Sequence, residues 1–417
     1  MPDPPLCAVY RIPYTGSAHT SAAATTPPAV MAAKERLPIW LLRLVLSLII
    51  RYLRVTPFRT GQRTLLRFCR SHLLSRLPPF SAIVPLREAP SISMQCFQLG
   101  SKHHADILSE WLLLTGAWQP ALTAYLRRAL LPGDTLVDVG ANTGYFSLLG
   151  ATLVGATGSV VAVEACPRTY ERLLANLALN PKLAAAVTPV HAAAAETEGE
   201  LTLYQHRREP LYNTTVAGAG AGGVAAAADV WALLQSSGAL GAAGVARGAA
   251  AAEEVSRLAV SSVWQTTRVR GAPLDALLSE AQLRKARVLK VDVEGAEWAV
   301  LQGARRLLSS ADDNDDWGGG GSTGAPTLEV VVEVTPKWLA LQQSSVKRLF
   351  EHMRALGYNA YLLPADDYEI SVALPMARAP PPPPRRLRDA RRLFDGREDA
   401  NRQADVIFSR RDAEFLD

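Results

Sequence analysis

The stretch Leu136-Val137-Asp138-Val139-Gly140-Ala141-Asn142-Thr143-Gly144-Tyr145-Phe146 decides the fold class. A short apolar run reads as a buried strand, a Gly-x-x-x-Gly turn follows it, and a helical pattern then runs over Tyr145–Val154. Glycine is needed where a chain turns sharply at the end of a strand and its backbone must come close to something else. The start of the helix offers unpaired N–H groups and a positive partial charge. The next predicted strand, Ser159–Glu164, ends in an acid twenty-four positions beyond Gly140. A carboxylate there is placed to accept hydrogen bonds from both hydroxyls of a ribose. Strand, turn, helix, strand and terminal acid in this order point to an adenosine-containing cofactor.

Outward from this stretch, short apolar runs alternate with helical segments from about residue 90 onward, the pattern of a parallel α/β sheet. Further strands are expected at Val187–Ala192, Leu201–Tyr204, Val288–Val293 and Leu328–Thr335, and a terminal pair at Asn359–Leu363 and Ala404–Ser409. Helices are expected at Pro167–Leu179, Ala296–Leu308 and Ser344–Leu356. Ala217–Ala252 and the stretch from about 376 to 403 lack a periodic apolar pattern and read as low-complexity surface insertions.

The turn also discriminates between cofactors. Dinucleotide sites use G-x-G-x-x-G so that backbone can touch the pyrophosphate. Here the middle glycine is Asn142, which tolerates left-handed backbone angles but would crowd a diphosphate. S-adenosylmethionine has no phosphate, and its ammonium suits a carboxylate such as Asp138. The expected cofactor is therefore S-adenosylmethionine, held by Asp138, Gly140, Asn142, Gly144 and Glu164.

Methyl transfer to oxygen needs alignment of the acceptor and a base for its proton. Ligands of open α/β sheets sit at the carboxyl ends of the strands. Asp292 and Glu294, at the end of the strand expected beside the first, are the candidate catalytic residues, Asp292 first as general base or acceptor-positioning group and Glu294 second. Glu297 could equally cap the helix that follows, and Glu333 is a secondary candidate for contacting the acceptor. No metal is expected, because no spacing of acids demands one. Amino-directed methyltransferases often carry an Asn/Asp-Pro-Pro-aromatic sequence at this strand end, whereas this chain has Asp292-Val293-Glu294-Gly295. N-methylation and a non-catalytic, membrane-associated protein that retains cofactor binding are the alternatives to O-methylation.

Several ordered segments together resemble the FkbM-type methyltransferases. They are Gly116-Ala117-Trp118-Gln119-Pro120, where family members commonly carry Glu before the proline, then Pro132-Gly133-Asp134 leading into Val137–Gly144. Val163-Glu164-Ala165-Cys166-Pro167 with Asn176 and Asn180, Pro273-Leu274-Asp275, and Leu289-Lys290-Val291-Asp292-Val293-Glu294-Gly295-Ala296-Glu297 follow, with Val332-Glu333-Val334 last. The resemblance implies a class I methyltransferase Rossmann-like fold, with a mostly parallel seven-stranded sheet and helices on both faces. It also implies transfer of a methyl group from S-adenosylmethionine, usually to a hydroxyl of a small-molecule, sugar or lipid acceptor.

The charge is unevenly spread over the 417 residues. Residues 1–87 hold twelve Lys/Arg against Asp3 and Glu35, while the remainder has 32 basic and 37 acidic residues. A mildly acidic body argues against nucleic acid as partner, and the basic arm, residues 1–89, suggests targeting or a membrane surface. Within it, residues 37–56 read as an amphipathic helix with Arg43, Ser47, Arg51 and Arg54 in one sector and Trp40, Leu44, Val45, Leu48 and Ile49 largely outside it. That pattern fits an organellar presequence or a peripheral membrane contact. Cys7, Cys69, Cys96 and Cys166 show neither disulfide nor zinc spacing. The domain proper is expected over 90–412.

Overall fold

The computed structural model describes residues 38–55, 62–100, 106–206, 213–215, 264–309, 327–363, 383–389, 393 and 403–411. The insertion expected over 217–252 lies outside these residues, as do most of 376–403 and the first 37 residues. The chain divides into two compact units, with the boundary between Ala117 and Trp118.

In the first unit, helix α1 (Ile39–Val55) is followed by α2 (Gln62–Phe68), which runs into a π-turn at Cys69–Leu73. Strands β1 (Phe80–Pro85) and β2 (Ser93–Leu99) pair as an antiparallel hairpin, and α3 (Ile107–Thr115) closes the unit. Asp106 caps α3 by accepting from the Ser109 amide at 3.0 Å, and Gly116 ends it in a left-handed conformation. Helix ends leave carbonyls without partners. At this one Arg54 reaches across and donates to the Leu112 and Leu113 carbonyls at 2.8 and 3.0 Å. The contact holds the end of α1 against the end of α3, and Leu42, Leu46, Ile50 and Leu53 are the buried face of α1.

The second unit opens with α4 (Pro120–Ala129), β3 (Thr135–Val139), α5 (Tyr145–Val154), β4 (Ser159–Glu164), α6 (Pro167–Leu179) and β5 (Val187–His191). The strands that follow are β6 (Ala193–Ala194), β7 (Gly199–His206), β8 (Asn213–Thr215), β9 (Trp264–Ala272), β10 (Ala286–Val291), β11 (Glu329–Val334), β12 (Asn359–Leu362), β13 (Arg385–Leu387) and β14 (Ala404–Ser409). The large sheet has the order β13-β12-β14-β11-β10-β3-β4-β5, parallel from β11 to β5. It is the expected mostly parallel α/β sheet, with β14 antiparallel to both neighbours. Its central strands are apolar on both faces, and Val137, Val161, Leu289, Val291, Val330 and Val332 are all fully buried.

The sheet has eight strands where seven were expected. The added strand, β13, pairs Leu387 with Ala360 and Arg385 with Leu362 on the outer edge. It falls in a stretch whose composition reads as an insertion, because only Leu387 of its three residues is buried. Short, basic edge strands of this kind have no alternating pattern to betray them.

Two other departures have local causes. A second sheet, β6-β9-β7-β8, is built on the long β7–β9 pairing from Gly199↔Gly271 to His206↔Trp264. The helix expected over Ala296–Leu308 is broken into Glu297–Gln302 and Arg305–Ser309. At the break, a Cβ on Gly303 would stand 2.0 Å from the Ala195 carbonyl oxygen, so this backbone passes too close for an ordinary residue.

Candidate functional site

The adjacent strands β3, β4, β10 and β11 bring the candidate residues to one end of the sheet. Glu164 closes β4 and is 8% exposed. Its Oε2 accepts from the Asn142 amide and its Oε1 from the Cys166 amide, both at 2.8 Å. Each oxygen keeps a further lone pair, so the carboxylate fits the pair of hydroxyl donors that a ribose presents. Burial pushes this carboxyl up to about 7, against the pull of the two amides and of Lys290.

The turn before it is held by the protein itself. Asn142 has φ +51° and its Oδ1 accepts from the Thr143 amide at 2.7 Å, the local bond that makes Asn tolerable in a left-handed conformation. Gly140 (φ +77°) and Gly144 (φ +92°) are also left-handed. A Cβ on Gly140 would meet the Asp292 carbonyl oxygen, and one on Gly144 would meet Leu173. These two glycines are therefore required first by close packing within the chain. Asn176 donates to the Thr143 carbonyl at 2.8 Å and ties the turn to α6.

Asp138 is fully buried beneath this turn. Ser147 donates to its Oδ2 at 2.6 Å, and the Lys290 ammonium stands 3.1 Å from its Oδ1. In this structure its charge is answered from inside the sheet, by Lys290.

Sequence reasoning gives Lys290 no catalytic role and leaves open whether it pairs with an acid or faces outward. It is 2% exposed, donates to the Gly140 carbonyl at 3.2 Å, pairs with Asp292 at 3.5 Å and lies over the Phe146 ring at 5.4 Å. Burial alone would lower the ammonium's pKa, but Asp138 and then Asp292 outweigh it, so the group is held charged. The signal was a lone lysine inside an otherwise apolar strand, level with an aspartate on the neighbouring strand: Lys290 and Asp138 are register partners.

Beyond Lys290, the end of β10 carries a cluster of acids. Asp292 has a side chain 26% exposed. Glu294 is partly buried, with φ +50°, and Gly295 follows with φ +108°. Burial first, then the Asp292 and Glu297 carboxylates, push the Glu294 carboxyl well above the usual carboxylate range. Glu333, at the end of β11, is raised in the same way by burial and by Asp292 and Glu294, and it hydrogen-bonds Asp292. Glu297 accepts from the Gly295 amide at 2.9 Å and closes the loop, with its carboxyl pushed up by burial to about 7. The arrangement gathers Asp292, Glu294, Glu297 and Glu333 into one acidic cluster, with the Lys290 ammonium against Asp292. Among the described residues no group of side chains has metal-binding geometry.

Tyr145 and Phe146 are buried. His191 is exposed and stacks on Tyr170, while His103 and His104 lie outside the described residues. Cys69, Cys96 and Cys166 are free and buried, and burial raises their thiols, leaving them unreactive.

A family model described as the methyltransferase FkbM domain matches residues 138–360. Among solved structures, the chain is similar to a methyltransferase FkbM from Methylobacillus flagellatus KT, at 12% identity and a TM-score of 0.35 over 74% of this chain. The chain spans 56% of the length of that protein. It is also similar to a putative rRNA-methylase from Clostridium thermocellum (8% identity, TM-score 0.32, 70% of this chain and 97% of that one). A third is a SAM-dependent O-methyltransferase from Thermotoga maritima (10% identity, TM-score 0.30, 71% and 68%). No curated protein matches the chain.

Proposed function

The chain belongs to the methyltransferase FkbM domain family, and on that premise we propose that it methylates a hydroxyl oxygen of a small-molecule, sugar or lipid acceptor, with S-adenosylmethionine as donor. When bound, the donor supplies a sulfonium methyl carbon open to in-line displacement. Glu164 receives the ribose hydroxyls, and Gly140, Asn142 and Gly144 shape the turn beside them. Asp138 contributes from beneath, by holding Lys290.

Asp292 and Glu294 divide the work at the acceptor. Asp292, its side chain partly exposed and 3.5 Å from Lys290, is suited to accept a hydrogen bond from the acceptor and orient it. Glu294 would take the proton of an acceptor hydroxyl when donor and acceptor are both bound. The observation that supports this assignment is placement: Glu294 stands just past the end of β10, two residues from Asp292, on a backbone held left-handed at φ +50°.

Calorimetric titration of the purified protein with S-adenosylmethionine and with NAD tests the donor; binding of NAD alone overturns it. Incubation with labelled donor and panels of hydroxylated small molecules, sugars, lipids and amines tests the acceptor. Label on amines only would replace the hydroxyl assignment by N-methylation.

A further inference from the structure

Helix α1 has two apolar faces, and its own unit covers one of them. Leu42, Leu46, Ile50 and Leu53 pack inward, each 6% exposed or less. On the other side Trp40 (66% exposed), Leu44 (49%), Leu48 (60%) and Tyr52 (40%) follow one another at four-residue steps and point to solvent. At 100° per residue these four sweep about 120° of the helix, and Arg43, Ser47 and Arg51, all exposed, lie along one edge of the same surface. The sequence of α1 contains no acid.

We propose that this outer face of α1 docks in the plane of an anionic phospholipid surface. An apolar stripe led by a tryptophan and bordered by arginines is what an interfacial helix presents: the rings and leucines enter the headgroup–acyl boundary and the guanidiniums stay with the phosphates. The helix does not cross the bilayer. Seventeen residues rise about 26 Å, short of a hydrocarbon core of about 30 Å, and the inward face is already packed. No helix among the described residues is long and apolar enough to span. The excess of twelve basic residues over two acids in residues 1–87 matches the negative potential of such a surface. A second copy is a poor occupant, because two outer faces laid together would oppose arginines with no acid on either helix.

The full-length protein is floated with vesicles of one part phosphatidylserine to three parts phosphatidylcholine, and with phosphatidylcholine alone. Roughly tenfold tighter binding to the anionic vesicles, weakened by salt, is expected. The double variant Leu44→Asp/Leu48→Asp should lose binding by tenfold or more, and Arg43→Glu/Arg51→Glu should lose the preference for phosphatidylserine. Both alter exposed positions, and a circular-dichroism melt checks that they fold. Quenching of tryptophan fluorescence by brominated lipid, expected in the unmodified protein and reduced in Trp40→Phe, gives a second reading that needs no charged variant. Equal binding of the aspartate variant overturns the proposal, as does failure of the unmodified protein to bind. So does a light-scattering dimer that this variant breaks without any vesicle binding.

Discussion

Gly140 and the carbonyl oxygen of Asp292 approach so closely that a Cβ on the glycine would stand 1.7 Å from that oxygen. The Asp292 amide donates to the Val139 carbonyl at 3.1 Å, so the cofactor turn and the acidic loop are joined through backbone. Gly140→Ala should therefore destabilise the protein well beyond its φ strain of about 1–2 kcal/mol. Gly357→Ala is the control: its φ is +83°, but a Cβ there meets only the Arg410 Nε at 3.9 Å, an ordinary contact, so only the backbone strain is added. Denaturant melts of the two variants check this, and equal losses would refute the close-approach argument.

Lys290 is the counter-charge of a fully buried Asp138. Lys290→Met should cost about 3–5 kcal/mol, because an uncompensated carboxylate is left in the sheet. Adding Asp138→Asn should recover part of that loss. A double-mutant cycle by chemical denaturation measures the coupling; strictly additive losses would mean the pair contributes nothing specific.

Glu164 and Glu297 have carboxyls raised to about 7 in the fold. A raised acid contributes stability that is fully present below its unfolded value, near 4.5, and lost as pH rises through about 7. The unliganded protein should therefore weaken across that window, by at most about 3 kcal/mol for each group. Hydroxyl donors favour the ionised form, so affinity for S-adenosylmethionine should tighten over the same window. Glu164→Gln should bind the donor weakly and with a flat pH profile, and a variant that binds like the unmodified protein would sink the ribose assignment.

Glu294 carries a left-handed backbone and a crowded, buried carboxyl. Glu294→Gly removes both the strain and the charge repulsion, and should raise stability by about 1 kcal/mol. With the base gone, turnover should fall by about 10²–10⁴-fold while donor affinity is unchanged. Thermal melts, donor titration and methyl-transfer rates separate these effects; unchanged turnover would move the base to Asp292 or Glu333.

What the sequence by itself determined is what local pattern can encode. The strand–turn–helix from Thr135 to Val154, the strand ending at Glu164 and the helix Pro167–Leu179 lie where their apolar runs place them, because buried strands and helix periodicity are written in neighbouring residues. Gly140, Asn142, Glu164, Asp292 and Glu294 were legible as candidates for the same reason: each stands at the end of a recognisable strand. The partnership of Lys290 with Asp138 was not, since the two are 152 positions apart and meet only when β10 pairs with β3. The eighth strand was hidden because an edge needs just one buried side chain, and β9 because its partner β7 precedes it by a long intervening stretch. The turn at Asp138 shows in sequence that its backbone must turn sharply and come close to something, without saying to what. Only the tertiary structure decided that its glycines are held first by Asp292 and Leu173, because steric exclusion acts between whatever atoms the fold brings together, however distant in the chain.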